Sequence, residues 1–71
     1  MTENKIKEIG YIVKQTRKDQ GLTQEQLAAT TNVGVRFIRE LEQGKESCHI
    51  GKVLMVIAML GIDVHINGNK L

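Results

Sequence analysis

Apolar positions recur with a helical period in three stretches of the chain and with a period of two in a fourth. Over 3–20, Ile6, Ile9, Val13 and Thr16 fall on one stripe, with Glu3, Lys7, Lys14 and Lys18 outside and Tyr11 and Ile12 flanking. Gly10 interrupts this pattern at about 1 kcal/mol relative to Ala, either because another helix comes close there or by simple tolerance. Two short helices are expected over 23–31 and 35–43. A longer one is expected over 50–60, with Ile50, Val53, Leu54, Ile57 and Leu60 as its core stripe. Met55, Val56 and Met59 lie on another side of that helix, and Lys52 is almost its only charge. A helix apolar nearly all round must be covered twice. Its outer side therefore meets a second copy or a partner, unless Met55 and Met59 are adaptable core filler. After Gly61, Ile62, Val64 and Ile66 alternate with Asp63 and His65, which predicts a strand over 62–66. Asn67-Gly68 could turn a hairpin, but Asn69, Lys70 and Leu71 alone follow. The strand thus lacks an obvious partner in its own chain, and an open edge is a template for pairing.

The two central helices carry sharper signals. Thr23 and Gln26 have the spacing of a capping box. Thr30, Thr31 and Asn32 are poor helix residues, and Gly34 offers a cheap change of backbone direction. In the next helix, phased at about 100° per residue, Ile38 and Leu41 share a side with Gly34 and Glu42. Arg36, Arg39, Glu40 and Gln43 crowd the opposite side, and Val35 and Phe37 form the borders. Gly44 and Lys45 suit a left-handed cap and a cation at the negative end of the dipole. An inward Glu42 needs a cationic partner. Arg17, near the end of the first helix, is either that partner or a solvated helix-end cation.

Composition adds limits. A single domain of 71 residues without Pro or Trp and with one Cys lacks the usual staples of a small fold, so dimerisation is an expected source of extra burial. No segment reads as a signal peptide, and no apolar run approaches the roughly 18 residues that span a membrane, so a cytoplasmic, nucleoid-associated protein is expected. Cys48, His49 and His65 supply neither four zinc ligands nor a nucleophile–base–orienter set. No metal, cofactor or catalytic residue is expected, and Cys48 reads as a packing residue. The net charge of +2 is a weak guide to nucleic acid.

Gly21-Leu22-Thr23-Gln24-Glu25-Gln26-Leu27-Ala28, then Val33-Gly34-Val35, then Ile38-x-x-Leu41-Glu42-x-Gly44-Lys45, resembles the lambda/434-repressor-type helix-turn-helix of the Xre family. Val33 to Gly44 and the ending Leu60-Gly61-Ile62-Asp63-Val64-His65-Ile66 look most like the small antitoxins of the Hip (high-persistence) type. The resemblance covers about Ile9 to Ile66. It implies an all-α, lambda-repressor-like bundle of four to five helices with a short C-terminal strand for dimerisation, and a pair between Arg17 and Glu42. It further implies that the helix beginning near Val35 enters the major groove, with Gly34, Val35, Arg36, Arg39 and Glu40 facing base edges. Arg36 and Arg39 would suit guanine, and Val35 a thymine methyl. The family habit of Gln, Ser or Thr at the start of this helix is absent here, which bears on the target sequence. Thr23, Gln24 and Lys45 would meet phosphates. Phe37 would pack on a sugar or remain an ordinary half-buried aromatic.

The expected function is a sequence-specific repressor binding a double-stranded operator with an inverted repeat. The resemblance makes it the antitoxin of a kinase-like toxin, autoregulating their operon; a stand-alone or phage-type Xre regulator is the alternative. A homodimer would use Met55, Met59, Ile62, Val64 and Ile66, the strands pairing across a two-fold axis. A competing expectation is a tail that orders only on the toxin.

Overall fold

A computed structural model describes residues 5–46 and 49–71. Helix α1 spans Lys5–Asp19, α2 Gln24–Thr31, α3 Val35–Glu42 and α4 Ile50–Met59; strands β1 (His65–Ile66) and β2 (Asn69–Lys70) follow. The predicted start of the first helix at residue 3 and the packing role of Cys48 lie outside the described residues. Elsewhere the helix ends fall within a residue or two of expectation, where assignment is softest.

Local chemistry sets these boundaries. The Thr23 hydroxyl accepts from the Gln26 N–H at 3.0 Å, and the Gln26 side chain accepts from the Thr23 N–H at 2.8 Å, so the capping box is complete. At the end of α2 the change of direction falls on Asn32, at φ 58°, while Gly34 is extended at φ −73° and serves as N-cap of α3. Gly34 is therefore exposed; helical phasing had put it inward, but a residue outside the helix does not follow the helical period. Gly44, at φ 78°, ends α3 as a left-handed residue. His49 caps α4, its Nδ1 accepting from the Lys52 N–H at 3.3 Å.

The core is one cluster of Val13, Leu27, Ala28, Ile38, Leu41, Val53, Val56, Ile57 and Leu60. Helix α3 packs against both α1 and α2, and α2 packs on α4. Gly10 sits in the α1–α3 contact: a Cβ there would collide with the Leu41 carbonyl oxygen and stand 3.1 Å from that of Glu42. Close approach, not tolerance, accounts for this glycine. Gln20 Nε2 donates to the Leu60 carbonyl at 2.8 Å and ties the end of α1 to the end of α4.

Two sequence expectations change on α4 and beyond it. Val56 is fully buried, whereas Ile50 and Leu54 are 65% and 38% exposed, so the core stripe is rotated toward Val56. The helix that packs on α4 is α2, while Ile50 and Leu54 line an open groove toward α1 and the hairpin. Met55 and Met59 are about half-exposed and are not core filler. The terminal segment does find a partner in its own chain: β1 pairs antiparallel with β2 in the register His65↔Lys70 and Ile66↔Asn69. Asn67 and Gly68 both take positive φ, the conformation that a two-residue hairpin turn requires. The Leu71 N–H donates to the Val64 carbonyl at 2.8 Å, and Lys70 reaches Asp63 at 3.3 Å. The ladder covers residues 65–66 of the predicted 62–66. Ile62 and Val64 instead lie half-buried against the core. Among the described residues, no helix is long and apolar enough to cross a membrane, and no three His, Cys, Asp or Glu side chains gather as a metal site would need.

Candidate nucleic-acid interface

The site is built around an ion pair that locks three helices. Arg17 Nε donates to Glu42 Oε2 at 2.6 Å and its Nη2 to Oε1 at 3.1 Å, while Nη1 donates to the Leu22 carbonyl at 2.8 Å. The side chains are 9% and 3% exposed. Such a pair is tolerable away from water only when its geometry is good and its remaining hydrogen-bonding positions are filled. Gln24 Nε2 supplies a further donor to Glu42 Oε1 at 3.1 Å. One carboxylate at the end of α3 thus anchors the end of α1 and the first turn of α2. The Gln24 contact was not expected, since this side chain was assigned to phosphate alone, although its spacing of three from Leu27 places it on the buried side of α2.

With its inner face held by Ile38, Leu41 and Glu42, α3 turns its other face to solvent. Arg36 and Arg39 are exposed there, and Val35 and Phe37 are half-buried at the two borders. The Lys52 ammonium stands 5.9 Å from the centre of the Phe37 ring, which makes Phe37 a half-buried edge residue in contact with α4. Nothing lies within 4 Å of where a Gly34 Cβ would be, so the approach to the start of α3 is open.

Glu40 departs from a simple outward base contact. Its Oε2 accepts from Arg36 Nε at 3.1 Å and from Lys45 Nζ at 3.2 Å. These hydrogen bonds, first from Lys45 and then from Arg36, hold its carboxyl below the ordinary glutamate range. The Arg36–Glu40 spacing of four along a helix was visible in the sequence as a potential pair; the approach of Lys45 past the glycine cap was not. Lys45 therefore stands beside α3, tied to Glu40, with about half of its side chain exposed.

Thr23 uses its hydroxyl within the capping box, and the first-turn N–H groups of Gln24 and Glu25 are the ones that box does not serve. The groups left open to solvent are then a helix N-terminus, two exposed arginines, a lysine and an open glycine.

A capped helix, a left-handed corner and a second helix clamped with its arginine face outward define a helix-turn-helix domain. The helix-turn-helix family model matches residues 13–65, and the chain belongs to that family, whose Xre-like members carry this motif as a DNA-binding domain. It is 48% identical over 59 residues, 83% of this chain and 78% of the relative, to an uncharacterized HTH-type transcriptional regulator, y4mF, of Sinorhizobium fredii.

The expected dimer residues divide in the structure. Ile66 is exposed, Ile62 and Val64 are half-buried, and Met55 and Met59 lie on the open side of α4. A groove of about 390 Å³ runs between α1, α4 and the hairpin, lined by Ile12, Ile50, Leu54, Ile62, Val64 and Ile66 among others, while Met55 and Met59 lie outside it on another flank of α4. Ile12, Ile50 and Leu54 were outside the expected dimer set, Ile12 as a residue flanking the first stripe and Ile50 and Leu54 as expected core of α4, yet all three are exposed.

Proposed function

We propose that this protein is a sequence-specific DNA-binding transcriptional repressor that acts as a homodimer on an inverted repeat. The observation that carries the reading is the Arg17–Glu42–Gln24 clamp, because it fixes α3 against α1 and α2 while leaving the arginine face of α3 free. In the major groove Arg36 and Arg39 read guanine edges, and Val35 meets a thymine methyl; exposed Gly34 lets the backbone approach the bases. Glu40 borders this set. The start of α2, through Thr23 and Gln24, and Lys45 on the far side of α3 bind phosphates. Gln24 retains a second amide hydrogen for that contact while its first stays on Glu42.

Dimerisation uses the apolar groove and the open edge of the hairpin, with Ile62, Val64 and Ile66 at the centre and Met55 and Met59 alongside. By the alternation of an antiparallel ladder, the backbone groups of Asp63 and His65 point away from β2 and are available to a second copy. A kinase-like toxin partner is the second reading, which rests on the resemblance of residues 60–66 to Hip-type antitoxins and on the amount of apolar surface left open. Footprinting on the DNA upstream of the gene, with and without the product of any adjacent kinase-like gene, tests both. Protection of an inverted repeat supports the repressor reading, and uniform protection of all sequences refutes it. The absence of such a neighbouring gene favours a stand-alone regulator.

A further inference from the structure

The acidic residue at the centre of the arginine face calls for an explanation, since a carboxylate among phosphate-seeking cations opposes binding to DNA. Glu40 is not stranded there. Its Oε2 accepts from Arg36 Nε on one side and from Lys45 Nζ on the other. Arg36 is 83% exposed and Lys45 49%, whereas the Glu40 side chain is 27% exposed, the least of the three.

We propose that Glu40 is a positioning residue for specificity: it holds Arg36 by its Nε and thereby aims the terminal guanidinium fork outward for a base edge. The inference rests on the DNA-binding reading and assigns Glu40 a role within it. Arg36 makes no other hydrogen bond among the described residues, so both Nη groups stay available. Two parallel N–H groups are what guanine O6 and N7 accept. A free arginine on a helix surface samples many rotamers and must be ordered on binding, at an entropic cost that a pre-held side chain has already met. The same carboxylate engages Lys45 and adds a negative charge to the face. Both effects weaken attachment to arbitrary phosphates. That weakening applies to any sequence, so the gain in the ratio of specific to non-specific affinity comes through Arg36, without Glu40 itself touching a base.

The test uses the full chain, a duplex selected by the wild-type protein from a random-sequence library, and a scrambled duplex of equal length. Affinities for both are measured by fluorescence anisotropy at several salt concentrations, with folding checked by circular dichroism. Glu40→Ala is expected to lower the selected-to-scrambled ratio by at least about fivefold, the low end of one base contact's discrimination, with scrambled binding unchanged or tighter. Glu40→Gln keeps an acceptor oxygen and should retain part of the ratio; it also serves if the Ala variant does not fold. In an Arg36→Ala background, Glu40→Ala should leave the ratio unchanged. An equal loss in that background means that Glu40 reads a base itself, and an unchanged ratio in the single variant means that it is a surface charge only; either result overturns the proposal. A wild-type chain that selects no sequence overturns the DNA reading first, and this role with it.

Discussion

Gly10 lies directly beneath the carbonyl oxygen of Leu41, so the backbone of α1 passes the end of α3 with no room for a side chain. Helix propensity alone would make Gly10→Ala stabilising by about 1 kcal/mol. The added methyl group meets backbone rather than a yielding side chain, so overpacking should win at about 1–3 kcal/mol of net destabilisation. Urea unfolding of the variant gives the sign. A more stable Gly10→Ala would mean that α1 and α3 separate without cost.

The Arg17–Glu42 pair should behave as a clamp, not as surface decoration. Glu42→Ala strands a buried guanidinium and is expected to cost about 3–5 kcal/mol, a large share of the total stability of a small domain. In a double-mutant cycle the two residues should couple strongly. Gln24→Ala should cost about 1 kcal/mol and should also loosen α2, because its amide shares the same carboxylate.

On DNA, Arg36→Ala is expected to lose about 1–3 kcal/mol for the selected site and to relax the preference at one base position. Lys45→Ala should weaken all sequences alike and flatten the salt dependence by about one unit of slope. Binding isotherms on selected and scrambled duplexes separate the two patterns.

Ile66→Glu and Leu54→Glu change exposed positions at the apolar groove and should leave the fold intact. Both should shift sedimentation from dimer to monomer and weaken binding to a two-half-site duplex more than to a single half-site. A dimer that survives both substitutions would move the interface elsewhere.

The carboxyl of Glu40 should titrate below the ordinary glutamate range in the free protein. A depressed folded value means that the Glu40 interactions contribute above the unfolded pKa and fade as pH falls through the folded one. Carboxyl-carbon NMR should find the midpoint moved back up in Lys45→Ala, and to a smaller extent in Arg36→Ala. An unmoved midpoint in both would mean that neither contact persists in solution.

Most of the binding motif could be read from the residues themselves because its signals are local. The Thr23–Gln26 box, the period that puts Ile38, Leu41 and Glu42 on one side of α3, and the Gly44 stop each depend on a few neighbouring positions. Arg36 and Arg39 emerge on the open face for the same reason: once the apolar stripe is inward, a helix leaves its opposite side no choice. What remained was set by distances between elements that are far apart in the chain. Periodicity could not decide whether Gly10 met a neighbour, because the answer lies in the carbonyl of Leu41 on another helix. For Arg17 the residues alone left two readings open, and the resemblance pointed to the pair with Glu42 that the structure forms; Gln24 gained its inward partner by the same approach. The sides of α4 depended on which flank α2 packs against, so Val56 is buried and Ile50 open despite similar side chains. At the end of the chain, the Asn67-Gly68 turn was legible, but not that two residues of return strand are enough. Packing of Ile62 and Val64 on the core holds that short ladder in place, and contact with the rest of the molecule, not the turn alone, makes it a hairpin.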